Sequence, residues 1–113
     1  MNIANRPPPG LKEPKAKPDP AYLARVRELP CIICMEFGEP QLSPTTAHHP
    51  IHDRHGTRKR PDSTAIPLCH GHHQGDFDTS KLAVHREPEA WREAYGADHE
   101  WIERIQDILG VKE

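Results

Sequence analysis

Aromatic side chains are scarce in this chain: two Trp, two Tyr and two Phe make up 5% of its residues. Apolar residues reach only 35%, below the usual level for a globular domain. With 113 residues, the chain can form one small domain with a thin core, and such domains commonly need a staple. Long apolar runs are also missing. None approaches the roughly 20 residues needed to span a bilayer, so a soluble protein is expected. Only three cysteines are present, so they cannot all pair as disulfides. No signal-peptide pattern opens the chain, and a reducing compartment is expected. In that setting Cys31-Ile32-Ile33-Cys34 reads as a metal knuckle.

A strong positive charge is absent too. The net charge is −2, which taken alone argues against nucleic acid as a partner. Its distribution argues the other way. Residues 52–75 carry four cationic and two anionic side chains, with Arg58-Lys59-Arg60 contiguous. Residues 76–113 carry five cationic and ten anionic ones. The acidic end masks a basic middle.

Histidine is what the chain has in excess. Eight of its nine histidines lie between Thr46 and His85. They gather in Ala47-His48-His49-Pro50 and in Leu68-Cys69-His70-Gly71-His72-His73, with Arg54, Arg58, Lys59 and Arg60 between the two clusters. Imidazoles at such density point to metal binding or acid–base chemistry, because both occur near neutral pH.

Residues 1–19 combine Pro7, Pro8, Pro9, Pro14 and Pro18 with lysines and no aromatic residue. They read as a disordered or polyproline-like arm, with the folded domain at 20–113. Asp19-Pro20 is a good start for a helix, whose apolar face would be Tyr22, Leu23, Val26 and Leu29 and whose stop would be Pro30. Met35 to Pro44 reads as a loop. Thr45–Ile51 and Ser63–Leu68 read as two strands of a hairpin with a long basic tip, followed by a short helix from Cys69 to about Phe77. A helix from Glu87-Pro88 to Tyr95 follows, with Gly96 past its end. Asp98 would cap a last helix that buries Trp101, Ile102, Ile105, Ile108 and Leu109. The fold class expected is α+β.

Two knuckle spacings, Cys31-x2-Cys34 and Cys69-x2-His72, supply three thiolates and one imidazole, a set suited to structural zinc. Positions 69 and 72 lie on one face of a helical turn. His73, the next residue, is rotated by about 100°. It would face away from that zinc, towards His48 and His49. His52, His55 and His99 read as exposed polar residues, and His70 as a loop residue. Adjacent strand residues point to opposite faces, so His48 and His49 can share a site only where the backbone bends, as Pro50 allows.

The run of a CxxC knuckle, His48-His49, a basic loop, and Pro67-Leu68-Cys69-x2-His72-His73 resembles the HNH (His-Me finger) nucleases. With Val84-His85, Trp91 and Tyr95-Gly96 added, it is most similar to the recombination-enhancement (Ref-type) nucleases of phages, which act on DNA with RecA filaments. The resemblance covers roughly residues 28–110. It implies a zinc-stapled ββα-metal core with flanking helices and a metal-dependent DNA endonuclease activity. Its partners would be DNA and a RecA-type filament on single-stranded DNA, in the cytoplasm of a bacterial cell carrying a phage or prophage. His48, His73 and His85 would ligate a catalytic divalent metal (Mg²⁺, Mn²⁺ or Zn²⁺), and His49 would be the general base. Arg54, Arg58, Lys59 and Arg60 would hold DNA phosphates. Where many HNH nucleases have an Asn, this chain has Thr64, which leaves Thr64, Asp62 or a backbone carbonyl to orient His49. The alternative from another class is a non-catalytic zinc-stabilised DNA-binding module on the same fold.

Overall fold

The computed structural model describes residues 17–53 and 60–110; the proposed arm up to residue 16 and most of the basic loop lie outside them. The architecture is α+β. Helices α1 (Pro20–Arg27) and α2 (Ile32–Phe37) precede strand β1 (Thr45–His48). A 3₁₀ turn at Asp62–Thr64 leads into strand β2 (Ile66–Cys69), which runs straight into the single-turn helix α3 (His70–His73). Helix α4 (Pro88–Tyr95), a 3₁₀ turn at Asp98–Trp101 and helix α5 (Ile102–Leu109) complete the order.

β1 and β2 pair antiparallel, with Thr45 opposite Cys69 and His48 opposite Ile66. Two strands alone are marginal in water, and here helices cover them. Pro67 sits within β2, where a missing N–H is tolerated because a two-stranded sheet consists only of edges. Ile32, Ile33, Ile66, Leu68, Val84, Trp91 and Ile105 form one buried cluster with all three cysteines. The thin apolar core thus closes around the thiols. Tyr22 and Val26 of α1 bury against Ala65 as a second, smaller cluster. No helix among the described residues is long and apolar enough to cross a membrane.

Local chemistry sets most of the boundaries. The Asp19 side chain accepts from the Tyr22 N–H at 3.1 Å, and Pro20 fills the first helical position, so α1 begins where a cap and a proline favour it. Residues 32–37, expected as knuckle and loop, form α2 instead. Cys31 caps that helix with its own sulfur, which accepts from the Cys34 N–H at 3.5 Å. The two strands are shorter than expected. β1 stops at His48 because the backbone of Ile51 and His52 turns away to donate to Asp98 at 2.8 and 3.0 Å. The start of the second expected strand is taken by the 3₁₀ turn, in which the Thr64 hydroxyl donates to the Pro61 carbonyl at 2.7 Å.

α3 ends at His73 rather than near Phe77. Gly75 follows at φ +77°, a left-handed conformation that reverses the chain and that other residues adopt only with strain. The return path is fixed by backbone hydrogen bonds. Val84 N–H donates to the His72 carbonyl at 2.9 Å, and His85 N–H to the His73 carbonyl at 3.1 Å. Arg86 staples the loop by donating to the carbonyls of Lys81 at 2.9 Å and Gly75 at 3.4 Å. On α5, Ile105 is buried, but Ile108 is 44% exposed and does not belong to the buried stripe. Gly110 ends that helix at φ +75°.

Candidate metal centres

Cys31, Cys34, Cys69 and His72 come together as a fully buried cluster that could hold a metal ion such as zinc. Cys31 and Cys34 come from the entry to α2, and Cys69 and His72 from the junction of β2 with α3. His72 Nδ1 lies 3.4 Å from the Cys31 sulfur, 3.6 Å from that of Cys34 and 3.4 Å from that of Cys69. The Cys34 and Cys69 sulfurs are 3.9 Å apart, far beyond a disulfide bond. Tetrahedral zinc, from its usual bond lengths, places sulfurs about 3.8 Å apart and sulfur and nitrogen about 3.6 Å apart. The residues present therefore fit such an ion in both type and spacing.

The protonation of the bare cluster points the same way. The Cys69 thiol is drawn down to about 3, chiefly by the hydrogen bond from Cys31 and then by His72. The same hydrogen bond, with burial, pushes Cys31 up, and burial pushes Cys34 up. A bound dication would let all three thiols ionise. The outer contacts support the ligands. His72 Nε2 lies 3.1 Å from one Glu39 oxygen, and the Tyr95 hydroxyl donates to the other at 3.1 Å. Burial, then Glu39, pushes Tyr95 up to about 12, so its phenol remains a donor. Gln41 accepts from Cys31 N–H at 2.8 Å and donates to Thr45 Oγ1 at 2.9 Å, tying the knuckle to β1.

His48, His73 and His85 form a second group, each offering a ligand atom within 4.8 Å of the others. Their rings make a nearly equilateral triangle, with centroids 5.0, 5.1 and 5.0 Å apart. His48 is buried, His73 half-buried and His85 exposed, so the triangle opens to solvent on one side. The three come from the end of β1, from α3 and from the loop that returns beside α3. His72 and His73 therefore face different clusters from one helical turn.

Hydrogen bonds fix which nitrogen His73 and His48 offer. The Thr46 hydroxyl gives its only proton to the Leu68 carbonyl at 2.7 Å. It can then only accept from His73 Nδ1–H, 2.7 Å away, which leaves the lone pair of His73 on Nε2. Burial, then the neighbouring His48 and His85, holds His73 down to about 3, the neutral form that ligates metals. His48 Nε2 lies 2.7 Å from Asp98 Oδ2. Burial drives His48 towards its neutral form against the pull of that carboxylate. The contact is thus a neutral N–H donating to a carboxylate rather than an ion pair. It leaves His48 Nδ1 buried with no hydrogen-bond partner.

Asp98 was expected to cap the last helix. Its side chain instead turns inward, fully buried, and accepts from His48 and from the N–H groups of Ile51 and His52. Burial alone would raise its carboxyl, but those donors bring it down to about 2. His52 is likewise not exposed; its side chain is 4% accessible. Its Nδ1 accepts from Asp98 N–H at 2.8 Å, and its Nε2 donates to the Pro88 carbonyl at 2.9 Å. Neither residue carries a motif. A carboxylate before a helix resembles a cap in the sequence, and a histidine in a polar loop resembles surface.

His49 lies just past the end of β1, half-buried, and is not part of the triangle of ligand atoms. Asp62 Oδ1 accepts from its Nε2 at 2.8 Å, so its lone pair is on Nδ1. The other Asp62 oxygen accepts from Asp19 N–H at 2.8 Å. Of the three groups considered for orienting His49, Asp62 makes the contact, while Thr64 is occupied with its own turn. His70 opens α3 rather than lying in a loop, 3.1 Å from Asp76 and edge-on to Phe77. His99 is partly accessible, 3.8 Å from Asp53. Of the cationic loop residues, Arg54, Arg58 and Lys59 lie outside the described residues, as does His55. Arg60 pairs with both oxygens of Asp53. No curated protein and no solved structure matches the chain. The model of DUF968, a protein family of unknown function, matches residues 2–109, nearly the whole sequence, and the chain belongs to that family.

Proposed function

We propose that this protein is a metal-dependent DNA endonuclease of the HNH (His-Me finger) type, similar to the recombination-enhancement nucleases of phages. The observation that carries the reading is the triangle of His48, His73 and His85, three imidazoles of which at least two have their lone pairs fixed by hydrogen bonds. It lies open on one side and is followed in the chain by a histidine held by a carboxylate. A divalent ion held there would supply polarisation of a phosphodiester and stabilisation of charge on the leaving 3′-oxygen. The residues themselves do the rest. His48, His73 and His85 would hold the ion, and the Cys31, Cys34, Cys69 and His72 cluster would hold a structural zinc that keeps α3 in place. His49, its Nε2–H given to Asp62, presents Nδ1 to take a proton from the attacking water. Arg54, Arg58, Lys59 and Arg60 hold flanking phosphates, Arg60 by exchanging Asp53 for a stronger anionic partner. The products would be a 5′-phosphate and a 3′-hydroxyl.

The test is nicking of supercoiled plasmid with Mg²⁺ or Mn²⁺, with and without a RecA filament on single-stranded DNA. Wild-type protein, His49→Ala and His73→Ala are compared. Metal-dependent nicking by the wild type, lost in both variants, is expected. Wild-type protein that binds DNA and cuts under no condition would make it the zinc-stabilised binding module instead.

A further inference from the structure

His48 is the buried corner of the histidine triangle. It is fully buried, yet one of its ring nitrogens, Nδ1, has no hydrogen-bond partner. A buried polar atom left unpaired is costly, and this one belongs to a residue of the triangle that could hold a metal ion. The other nitrogen meets Asp98, which arrives from the 3₁₀ turn before α5, 50 residues along the chain. Asp98 does more than touch the ring. It accepts the N–H groups of Ile51 and His52, and its own N–H donates to His52 Nδ1. Four hydrogen bonds therefore lock residues 48–52 against this one residue. A carboxylate without protons can only accept, so Nε2 must carry the imidazole proton and Nδ1 must carry the lone pair.

We propose that Asp98 is a positioning residue for a divalent cation at the histidine triangle. It holds His48 in the tautomer whose Nδ1 faces the ion and clamps the segment by which the chain leaves β1. The inference rests on the proposed use of the triangle as a metal site. Carboxylate partners of ligating histidines orient the ring and strengthen it as a donor, and losing one typically weakens metal binding about 10- to 100-fold. Asparagine keeps the shape of Asp98 but replaces one acceptor by a donor, so it sets N–H against N–H in a shell that supplies only donors.

The experiment uses the zinc-loaded full chain, ¹⁵N-labelled at histidine, and Mn²⁺ as the probe. Mn²⁺ is a hard ion and leaves a thiolate-rich zinc site alone. Long-range ¹⁵N–¹H spectra of wild-type protein before Mn²⁺ is added should show His48 protonated at Nε2; protonation at Nδ1 overturns the proposal. Mn²⁺ titration followed by electron paramagnetic resonance should then give one site in the wild type, weakened about 10- to 100-fold in Asp98→Asn with zinc content unchanged. Equal Mn²⁺ affinity in the two proteins overturns the role of Asp98 and leaves the triangle standing as a metal site. No Mn²⁺ site in the wild type overturns both. The wild-type spectrum decides the tautomer even where the variant does not fold.

Discussion

The two clusters stand on either side of one helical turn and differ in almost every physical respect. The Cys₃His cluster is closed: all four residues are buried, and their spacing matches a tetrahedral ion. The His₃ triangle grades from buried His48 to exposed His85. Burial holds His48 and His73 towards their neutral forms. Closure with thiolates is the pattern of an ion that stabilises a fold, and openness with imidazoles that of an ion that meets a substrate. The comparison shows how little chain is needed to build both. Adjacent residues His72 and His73 face separate clusters because successive residues of a helix point about 100° apart.

The largest effect that would break this contrast is removal of the ion from the closed cluster. Cys69→Ser, or chelation, should unfold the domain, seen as loss of helical circular dichroism at 25 °C. Structural zinc contributes about 10–16 kcal/mol in small zinc peptides, against a total stability of about 5–15 kcal/mol for ordinary domains. A protein that keeps its fold without metal would show that the two clusters differ less than their geometry says. Next comes His73→Ala, in which nicking should fall below detection while zinc content and thermal midpoint stay close to wild type. Unfolding of that variant would assign the triangle to structure.

His49→Ala should lower nicking about 10²- to 10⁴-fold, the span of a general base, with Mn²⁺ affinity retained. A loss of Mn²⁺ binding would place His49 among the ligands. Smaller again is Gly75→Ala, which strains a left-handed turn and presses on Arg86 and Ala83. A cost of about 1–2 kcal/mol is expected, read as a lowered urea midpoint, together with weaker Mn²⁺ binding as His85 shifts. No change in either quantity would detach the turn from the triangle.

The smallest effect is one of pH. His73 is held down to about 3 in the fold, whereas an unfolded chain protonates its histidines near pH 6.5. Below that pH the unfolded state binds the extra proton, so stability falls as pH drops from about 6.5 to about 3 and is unaffected above. Urea midpoints without added divalent metal, at pH 7.5 and 5.5, should fall more in the wild type than in His73→Gln.

The grouping of the closed cluster, and the turn of His73 away from it, could be read from the chain because their geometry is local, whereas His85 entered only through the resemblance. Two-residue spacers and a single helical turn determine where Cys31, Cys34, Cys69, His72 and His73 can point. The supporting carboxylates could not be found this way. Asp98 reaches His48 across 50 residues, and Glu39 reaches His72 from the loop after α2, so no spacing rule connects them. Their local contexts even mislead, since an acid ahead of a helix has the composition of a cap. His52 differs for a related reason: polarity predicts exposure, and only the distant Asp98 N–H and Pro88 carbonyl give its ring a reason to be inside. Helix α2 escaped notice because its cap is a cysteine sulfur rather than a hydroxyl or carboxylate.

The contact between His48 and Asp98 also bears on the order in which the molecule assembles. Closing so long a stretch of chain costs entropy before any contact repays it, and contacts distant in sequence form slowly. The thiol knuckle and the β1–β2–α3 unit can come together from residues 31–73, but His48 acquires its carboxylate only when the turn at Asp98–Trp101 docks. During synthesis this turn emerges from the ribosome after all four residues of the closed cluster, so a nascent chain could hold zinc before its histidine triangle is set.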